Sequence, residues 1–556
     1  MVSTNCGVSL IAPILSLMPH RGDLHLLRPE LPEELEDLPS TAEGEWRRLS
    51  ESEVWQAQRG FFHHQGVGAW SKGTVPHYIT TNPALARAYA QVVIGYWRDW
   101  QRDAMGGGEE PFYILELGAG SGRFGYMFLR ALLELRQRSP LASLPFCYIL
   151  SDFTESNLQF WQSHRSLQPF VEQGVLDFAL FDAEKDGEVR LRRAGRTLEP
   201  ARLARPLVAI ANYVFDSIPH DAFAVKDGQL HECLFSHGGL ALDGKNPEWF
   251  QEVLPEFRSR PIDPAYYPEP GFNALLASYA SRLGNSTFLF EVAALRCLDR
   301  LRRLTGDRLL VLSADKGYVD EESLQGLGEP HLEGHGSFSL AVNFHAIGAH
   351  VAASGGRALF GGHPRSSINI CAFLNGAPPG GYVECELAFH EHVVRAGPDD
   401  TYTVRRGAEA HYESMTTVQL LSLIRLTRDD PRVVRDCLPA LMEKVEEADA
   451  SLKKEVATVV RRAWDNHYPI GEERDLAFEV GLLMVRAGLH EEALFYFNAS
   501  LELCGAASAT LWNVGMCHLA LGRFDEAVAR LRRARELDAH VIPLNAFRPN
   551  KESSPP

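Results

Sequence analysis

Residues 113 to 125 read Tyr-Ile-Leu-Glu-Leu-Gly-Ala-Gly-Ser-Gly-Arg-Phe-Gly, an apolar strand that runs straight into a glycine-rich turn. A buried strand, a turn with Gly118, Gly120 and Gly122, and a helix from about Arg123 to Arg136 make the opening of a βαβ unit. Glycine lets the backbone approach a ligand with no Cβ in the way, and the helix start favours an anion there. Gly120-x-Gly122-x-x-Gly125 also spells the dinucleotide fingerprint. That fold expects its ribose-binding acid about 20 residues on, whereas the next strand-end acid here is Asp152, well beyond that distance. Glu116, inside the motif, would repel a pyrophosphate. It suits S-adenosyl-L-methionine, whose amino acid end offers an ammonium to a carboxylate and a carboxylate to the helix. A purely structural βαβ turn is the remaining alternative.

The segments Phe112–Leu117, Phe146–Ser151, Val175–Phe181 and Leu207–Asn212 are each mostly apolar and predict strands buried on both faces. Leu309-Leu-Val-Leu-Ser313 predicts a fifth strand, and Phe338 to about Phe373 a further helix and edge strands. The alternation with helices predicts an α/β doubly wound, Rossmann-like fold with a parallel sheet, interrupted by an insertion at about 233–305. Ligands of such sheets sit beyond the carboxyl ends of the strands. Glu116, Asp152, Asp182, Asn212 and Ser313 all lie at such ends, so the motifs converge on one crevice.

At 556 residues the chain is too long for one core. Its organisation reads as a flexible arm at 1–44, a helical lead-in at 45–110, the α/β domain at 111–400 and a helical linker or degenerate repeat at 401–470. Repeats follow at 471–540 and a disordered tail at 541–556. In the lead-in, Asn82 and Pro83 predict a helix start, followed by one apolar face through Leu85, Ala88, Tyr89, Val92 and Val93. In the C-terminal part, Gly481, Gly488, Ala493 and Phe497 recur as Gly515, Gly522, Ala527 and Leu531, each displaced by 34 residues. That is the tetratricopeptide period, and it predicts an all-α array that binds a protein or peptide partner. Two repeats fall short of the three or more such arrays need, so helices between Leu420 and Trp464 are expected to complete the stack.

With 72 acidic against 55 basic side chains the formal charge is −17, which disfavours a nucleic acid or anionic membrane partner. Nine cysteines are scattered with no C-x-x-C pair, as expected of thiols in a reducing compartment. The N-terminal stretch makes a poor signal peptide, broken at Pro13, and no apolar run approaches the roughly 20 residues of a membrane span. A cytoplasmic protein is expected. His63-His64, and His390 with His392, lack Cys or carboxylate companions at ligand spacing, so no metal site is expected.

The segment Ala211-Asn-Tyr-Val-Phe-Asp-Ser-Ile-Pro-His-Asp-Ala-Phe223 resembles the Ala-Asn-Glu-Phe-Phe-Asp-Ala-Leu-Pro-Val-x-x-Phe signature of the MidA-like methyltransferases. That family includes the mitochondrial complex I assembly arginine methyltransferase. The likeness extends to Glu116-Leu-Gly-Ala-Gly-Ser-Gly122, to Tyr78-Ile-Thr-Thr-Asn-Pro83 and to Ala341-Val-Asn-Phe344, spanning roughly residues 60 to 375. The resemblance implies a class I methyltransferase dependent on S-adenosyl-L-methionine, with protein arginine as the family precedent. It implies that Gly118, Gly120 and Gly122 cradle the methionine portion and Glu116 its ammonium. Asp152 would take the ribose hydroxyls, Asp182 the adenine amine, and Asn212 and Asp216 would line the acceptor side. Two positions depart from the pattern: the family's Glu after Asn is Tyr213, and its Asp before Phe is Asn343. Guanidinium binding needs carboxylates, so two further readings stand beside the protein methyltransferase. One is an adapter on a relic fold; the other is a methyltransferase of small molecules.

Overall fold

The computed structural model describes residues 45–101 and 110–538, apart from short breaks at 240–241, 247, 264, 335, 362–365 and 379. The expected arm at 1–44 and tail at 541–556 lie outside the described residues.

Seven strands form the main sheet: β1 (Phe112–Glu116), β2 (Phe146–Asp152), β3 (Leu176–Leu180), β4 (Leu207–Asn212), β5 (Leu309–Asp315), β6 (Arg357–Phe360) and β7 (Asn369–Asn375). Their order is β6-β7-β5-β4-β1-β2-β3. The five strands β1 to β5 run parallel. Strand β7 runs antiparallel to both β5 and β6, so the sheet is mixed where the sequence predicts a parallel one. The connection from β6 to β7 covers only residues 361–368, too short for a crossover, and antiparallel pairing follows. An unbroken apolar strand such as Asn-Ile-Cys-Ala-Phe-Leu-Asn carries no mark of its direction.

Helix α1 (Val54–Gln65) packs in a separate cluster, while α2 (Pro83–Gln101), α3 (Arg123–Gln137) and α4 (Glu155–Ser163) cover one face of the main sheet. Asn82 caps α2 by accepting from the Leu85 amide at 3.0 Å, and Tyr89, Val92, Val93, Tyr96 and Trp97 bury its apolar face on the sheet. The other face of the sheet is covered by the helices Val292–Thr305 and Phe344–Ala353. Between β4 and β5 the chain forms a second, antiparallel sheet of Asp221–Lys226, Gln229–Ser236, Glu256–Pro261 and Ser286–Phe290, which also recruits Arg47–Arg48 from the lead-in. Val54, Trp55, Ala57 and Phe61 of α1 pack against its Ala222, Ala224 and Phe235.

The C-terminal part is helical: α5 (Thr417–Leu426), α6 (Pro431–Lys444), α7 (Ala450–Asp465), α8 (Leu476–Arg486), α9 (His490–Cys504), α10 (Ser508–Ala520) and α11 (Phe524–Leu537). The pairs α8–α9 and α10–α11 are hairpins with the same internal geometry. A Cβ on Gly481 would meet the Phe497 ring at 2.5 Å, and one on Gly515 would meet Leu531 at 2.7 Å. The hairpin turns at Gly488 and Gly522 take φ of 74° and 73°, a left-handed conformation that glycine adopts without strain. The recurrence in the sequence is therefore a recurrence of helix crossings.

This helical part is clamped to the α/β part at two places. Tyr78 donates to Asp430 at 2.7 Å, with its ring between the guanidinium groups of Arg405 and Arg432 at 4.6 and 4.3 Å. Arg123, the first residue of α3, pairs with Glu472 and donates to the Tyr468 carbonyl at 2.9 Å. Tyr126 donates to the Asp465 carbonyl at 2.8 Å, and the Tyr468 ring stacks on His164 with centroids 3.8 Å apart.

Candidate cofactor and acceptor site

The turn after β1 leaves the sheet between β2 and β4. The Leu117 amide donates to the Ile210 carbonyl at 2.8 Å and the Ala119 amide to the Ser151 carbonyl at 2.9 Å. Gly118, Gly120 and Gly122 have φ of 55°, 55° and 78°. At Gly120 the conformation and the surroundings both require glycine, because a Cβ would lie 2.8 Å from the indole of Trp70. Trp70, stacked on Phe62, thus lies over the loop.

Glu116 ends β1 and is 4% exposed. One of its oxygens accepts from the Tyr148 hydroxyl at 2.8 Å. Helix α3 rides directly over it, since a Cβ on Gly125 would meet the Glu116 Oε2 at 2.7 Å. Burial pushes this carboxyl up to about 8; the Tyr148 hydrogen bond opposes the rise and the Asp152 charge adds to it. Its one charged neighbour in that balance is another acid. A buried acid whose charged neighbour is also an acid is complemented by a cation. The ammonium of S-adenosyl-L-methionine fits this position.

Asp152 ends β2, and its carboxylate is filled from within the protein. Oδ1 accepts from the Thr154 amide at 2.9 Å and the Thr154 hydroxyl at 3.0 Å. Oδ2 accepts from the Gly120 amide at 3.1 Å and the Asn157 side chain at 3.0 Å. Four donors occupy the four acceptor positions of a carboxylate. Asp152 thereby braces the glycine loop with its acceptor positions filled from within the protein, where the resemblance implies contacts to ribose hydroxyls. On the other side of the loop the Trp161 indole donates to the Gly120 carbonyl at 3.0 Å.

Asp182, just beyond β3, is paired with Arg59 of α1 at 2.6 Å, and Arg59 also reaches Glu184 at 2.7 Å. The Arg59 guanidinium lies 4.3 Å over the Phe153 ring, so α1 and the end of β2 meet over this part of the crevice. Asn212 ends β4; its Oδ1 accepts from the Tyr89 hydroxyl at 3.0 Å, while its buried Nδ2 has no partner among the described residues. Val214 follows in the next turn, and a Cβ on Gly118 would sit 3.1 Å from its methyl group. Asp216 is 5% exposed and accepts from the Ser217 hydroxyl at 2.7 Å. Burial raises its carboxyl to about 6.

Strand β5 runs two residues past the expected end at Ser313, which brings Asp315 to the same edge. Asp315 is fully buried, accepts from the Phe215 amide at 3.3 Å and lies against Asp216. The strand-end acid pattern that singles out Glu116 and Asp152 would have found it with a longer strand. Arg59, Trp70 and Tyr468 carry no comparable local signal, because each reaches the crevice from a distant segment, Arg59 at Asp182 and the other two at the glycine loop. The two departures from the family pattern also find their places. Tyr213 takes φ of 52° in the turn after β4. Asn343 caps the helix Phe344–Ala353 by accepting from the Ala346 amide at 2.9 Å, and its amide group donates to the Leu289 carbonyl at 3.1 Å.

Residues 89–326 match the model of a family described as "Putative S-adenosyl-L-methionine-dependent methyltransferase". The cofactor is S-adenosyl-L-methionine. The matched segment holds β1 to β5, the glycine loop and every site residue expected from the sequence. No curated protein matches the chain. Among solved structures, it is similar to a COG1565 superfamily member from Burkholderia thailandensis bound to S-adenosyl-homocysteine, at 14% identity and a TM-score of 0.38, covering 60% of this chain and 88% of that one. An uncharacterized COG1565 superfamily protein from the same organism aligns at 14% identity and a TM-score of 0.37, over 60% and 87% of the two chains. The CMeT domain of the citrinin polyketide synthase aligns at 11% identity and a TM-score of 0.22, over 48% and 47%. Among the described residues, no helix is long and apolar enough to cross a membrane.

Proposed function

We propose that the chain transfers the methyl group of S-adenosyl-L-methionine to a protein acceptor recruited through its C-terminal helical hairpins. The observation that carries this reading is the joint at Arg123, where the first residue after the glycine loop is held by Tyr468 and Glu472 of the helical part. A recruiting array fixed to the cofactor loop suits a macromolecular acceptor. The strand order supports a Rossmann-like class I methyltransferase, and the repeated Gly–Phe and Gly–Leu crossings support tetratricopeptide-like hairpins. The resemblance to MidA-like enzymes makes arginine the precedent, and free cysteines throughout the described residues support a cytoplasmic setting.

When bound, the cofactor supplies an activated sulfonium methyl group. Glu116 holds its ammonium, and the start of α3 with Gly118, Gly120 and Gly122 receives its carboxylate. Asp182, steadied by Arg59, faces the adenine end, and Asp152 keeps the loop in shape. Trp70 and the α1 segment exclude water from the loop. Asn212 and Asp216 line the acceptor side, and in-line positioning supplies most of the acceleration.

The test is methyl-labelled donor added to a cell lysate with wild type or Gly120→Arg, whose side chain would collide with Trp70. Circular dichroism controls for folding. Label in protein with wild type alone is expected. Equal labelling by both proteins refutes the site. Label confined to the low-mass fraction would show a small-molecule methyltransferase, and donor binding without any labelling would show an adapter.

A further inference from the structure

The turn from Tyr213 to Pro219 divides the crevice. On one side Val214 touches the glycine loop at Gly118; on the other its backbone is tied to the end of β5 through Asp315. Asp315 is 0% exposed, and its Oδ1 has no hydrogen-bond partner among the described residues. The neighbour of that carboxyl is Asp216, itself an acceptor already bound to Ser217. Two buried carboxyls in contact cannot both be ionised, and the unmatched oxygen is satisfied by a proton held between them. Asp315 lies deeper than Asp216, so burial favours its neutral form over that of Asp216. The pair therefore carries one proton and one negative charge, with the proton on Asp315.

We propose, resting on the methyltransferase reading above, that Asp216 receives the proton released by the acceptor, that Asp315 positions and tunes Asp216, and that the acceptor is an uncharged N–H or O–H group. In the transfer the acceptor's lone pair forms the new bond to the methyl carbon. The sulfur–carbon bond breaks with its electrons kept by sulfur, and the acceptor's proton passes to Asp216. A sulfonium cation and one carboxylate anion are both discharged, so the net charge is unchanged while both separate charges disappear. A low-dielectric site favours such mutual neutralisation. A guanidinium would bring a second positive charge against a single negative one. Tyr213 and Asn343 stand where the resembled family has acids, which leaves the pair with no reinforcement from those two positions.

Sinefungin, in which an amine-bearing carbon replaces the sulfonium centre, reports the charge facing the methyl position without any acceptor. Its affinity is compared with that of S-adenosyl-homocysteine by calorimetry at pH 7.5. Wild type is expected to prefer sinefungin. Asp216→Asn should lose that preference by tenfold or more while binding S-adenosyl-homocysteine within twofold of wild type. Asp315→Asn mimics the protonated acid and should keep the preference; Asp315→Ala, with nothing to support the Asp216 charge, should weaken it. An unchanged preference in Asp216→Asn, or its loss in Asp315→Asn alone, overturns the proposal. Label from the lysate experiment recovered as methylarginine overturns the acceptor class. Failure of wild type to bind either nucleoside would instead sink the methyltransferase reading itself.

Discussion

Binding of the cofactor should release a proton from Glu116, and the size of the effect follows from burial. In the free protein this carboxyl titrates at about 8, so at pH 6 it is almost wholly protonated. A bound ammonium holds it ionised. Each binding event below pH 8 therefore expels close to one proton, and affinity climbs about tenfold per pH unit until it levels off near 8. Between pH 6 and 8 the gain is about fiftyfold, roughly 2.3 kcal/mol. The groups that face this carboxyl are Tyr148 and Asp152, with Tyr468 close by. Calorimetry of S-adenosyl-homocysteine at pH 6.5, in two buffers of different ionisation enthalpy, counts the proton directly. Glu116→Gln should abolish both the release and the pH slope. The same shift fixes the sign for the ligand-free fold. A carboxyl raised from 4.5 to about 8 costs stability progressively as pH rises through that window, so Glu116→Gln should melt higher than wild type at pH 8. Wild-type affinity that is flat from pH 6 to 8, with no proton released, would refute the placement of the ammonium.

Three other outcomes are expected. Gly125→Ala places a methyl against Glu116 Oε2, Leu150 and Tyr148, all within 2.9 Å, and should cost about 1–3 kcal/mol in denaturant melts while weakening donor binding. Arg123→Ala removes the pairing with Glu472 and the Tyr468 carbonyl; a loss of about 1.5–3 kcal/mol, faster proteolysis near residues 466–475 and weaker S-adenosyl-homocysteine binding should appear together. Asn343→Asp, which restores the acid of the resembled family, should destabilise the protein by about 1–3 kcal/mol without altering donor affinity. It removes the donor to the Leu289 carbonyl and sets a charge beside the fully buried Glu291, whose carboxylate accepts from the Asn343 amide at 2.6 Å.

The central strands could be read from the chain because each is a short apolar run closed by a polar residue, and burial on both faces demands such runs. The 34-residue offset was legible for a similar reason, since only glycine admits Phe497 or Leu531 at the helix crossings. Direction along the sheet was not, because β7 is equally apolar read from either end. The glycine loop was visible, but not its surroundings. Trp70 and Arg59 come from the lead-in and Tyr468 from the helical part, and nothing local in those segments says which surface they will cover. The surroundings of Asp152 were hidden for the same reason. Its donors Thr154 and Asn157 stand a few residues away in sequence, but the Gly120 amide does not, and the expected role assumed a carboxylate with room to spare.

The joint between Arg123 and Glu472 also sets a clock. The two residues are 349 positions apart, and synthesis at about 5–20 residues per second separates their appearance by roughly 20–70 seconds. Throughout that interval the nascent chain already contains the strand, the glycines and Glu116, yet lacks the segment that backs the loop. The newborn α/β half is thus a folding client with a finished sequence motif and an unfinished pocket. A message truncated between about codons 375 and 472 would encode every recognisable signature of a methyltransferase and still yield a protein whose cofactor loop has lost its support.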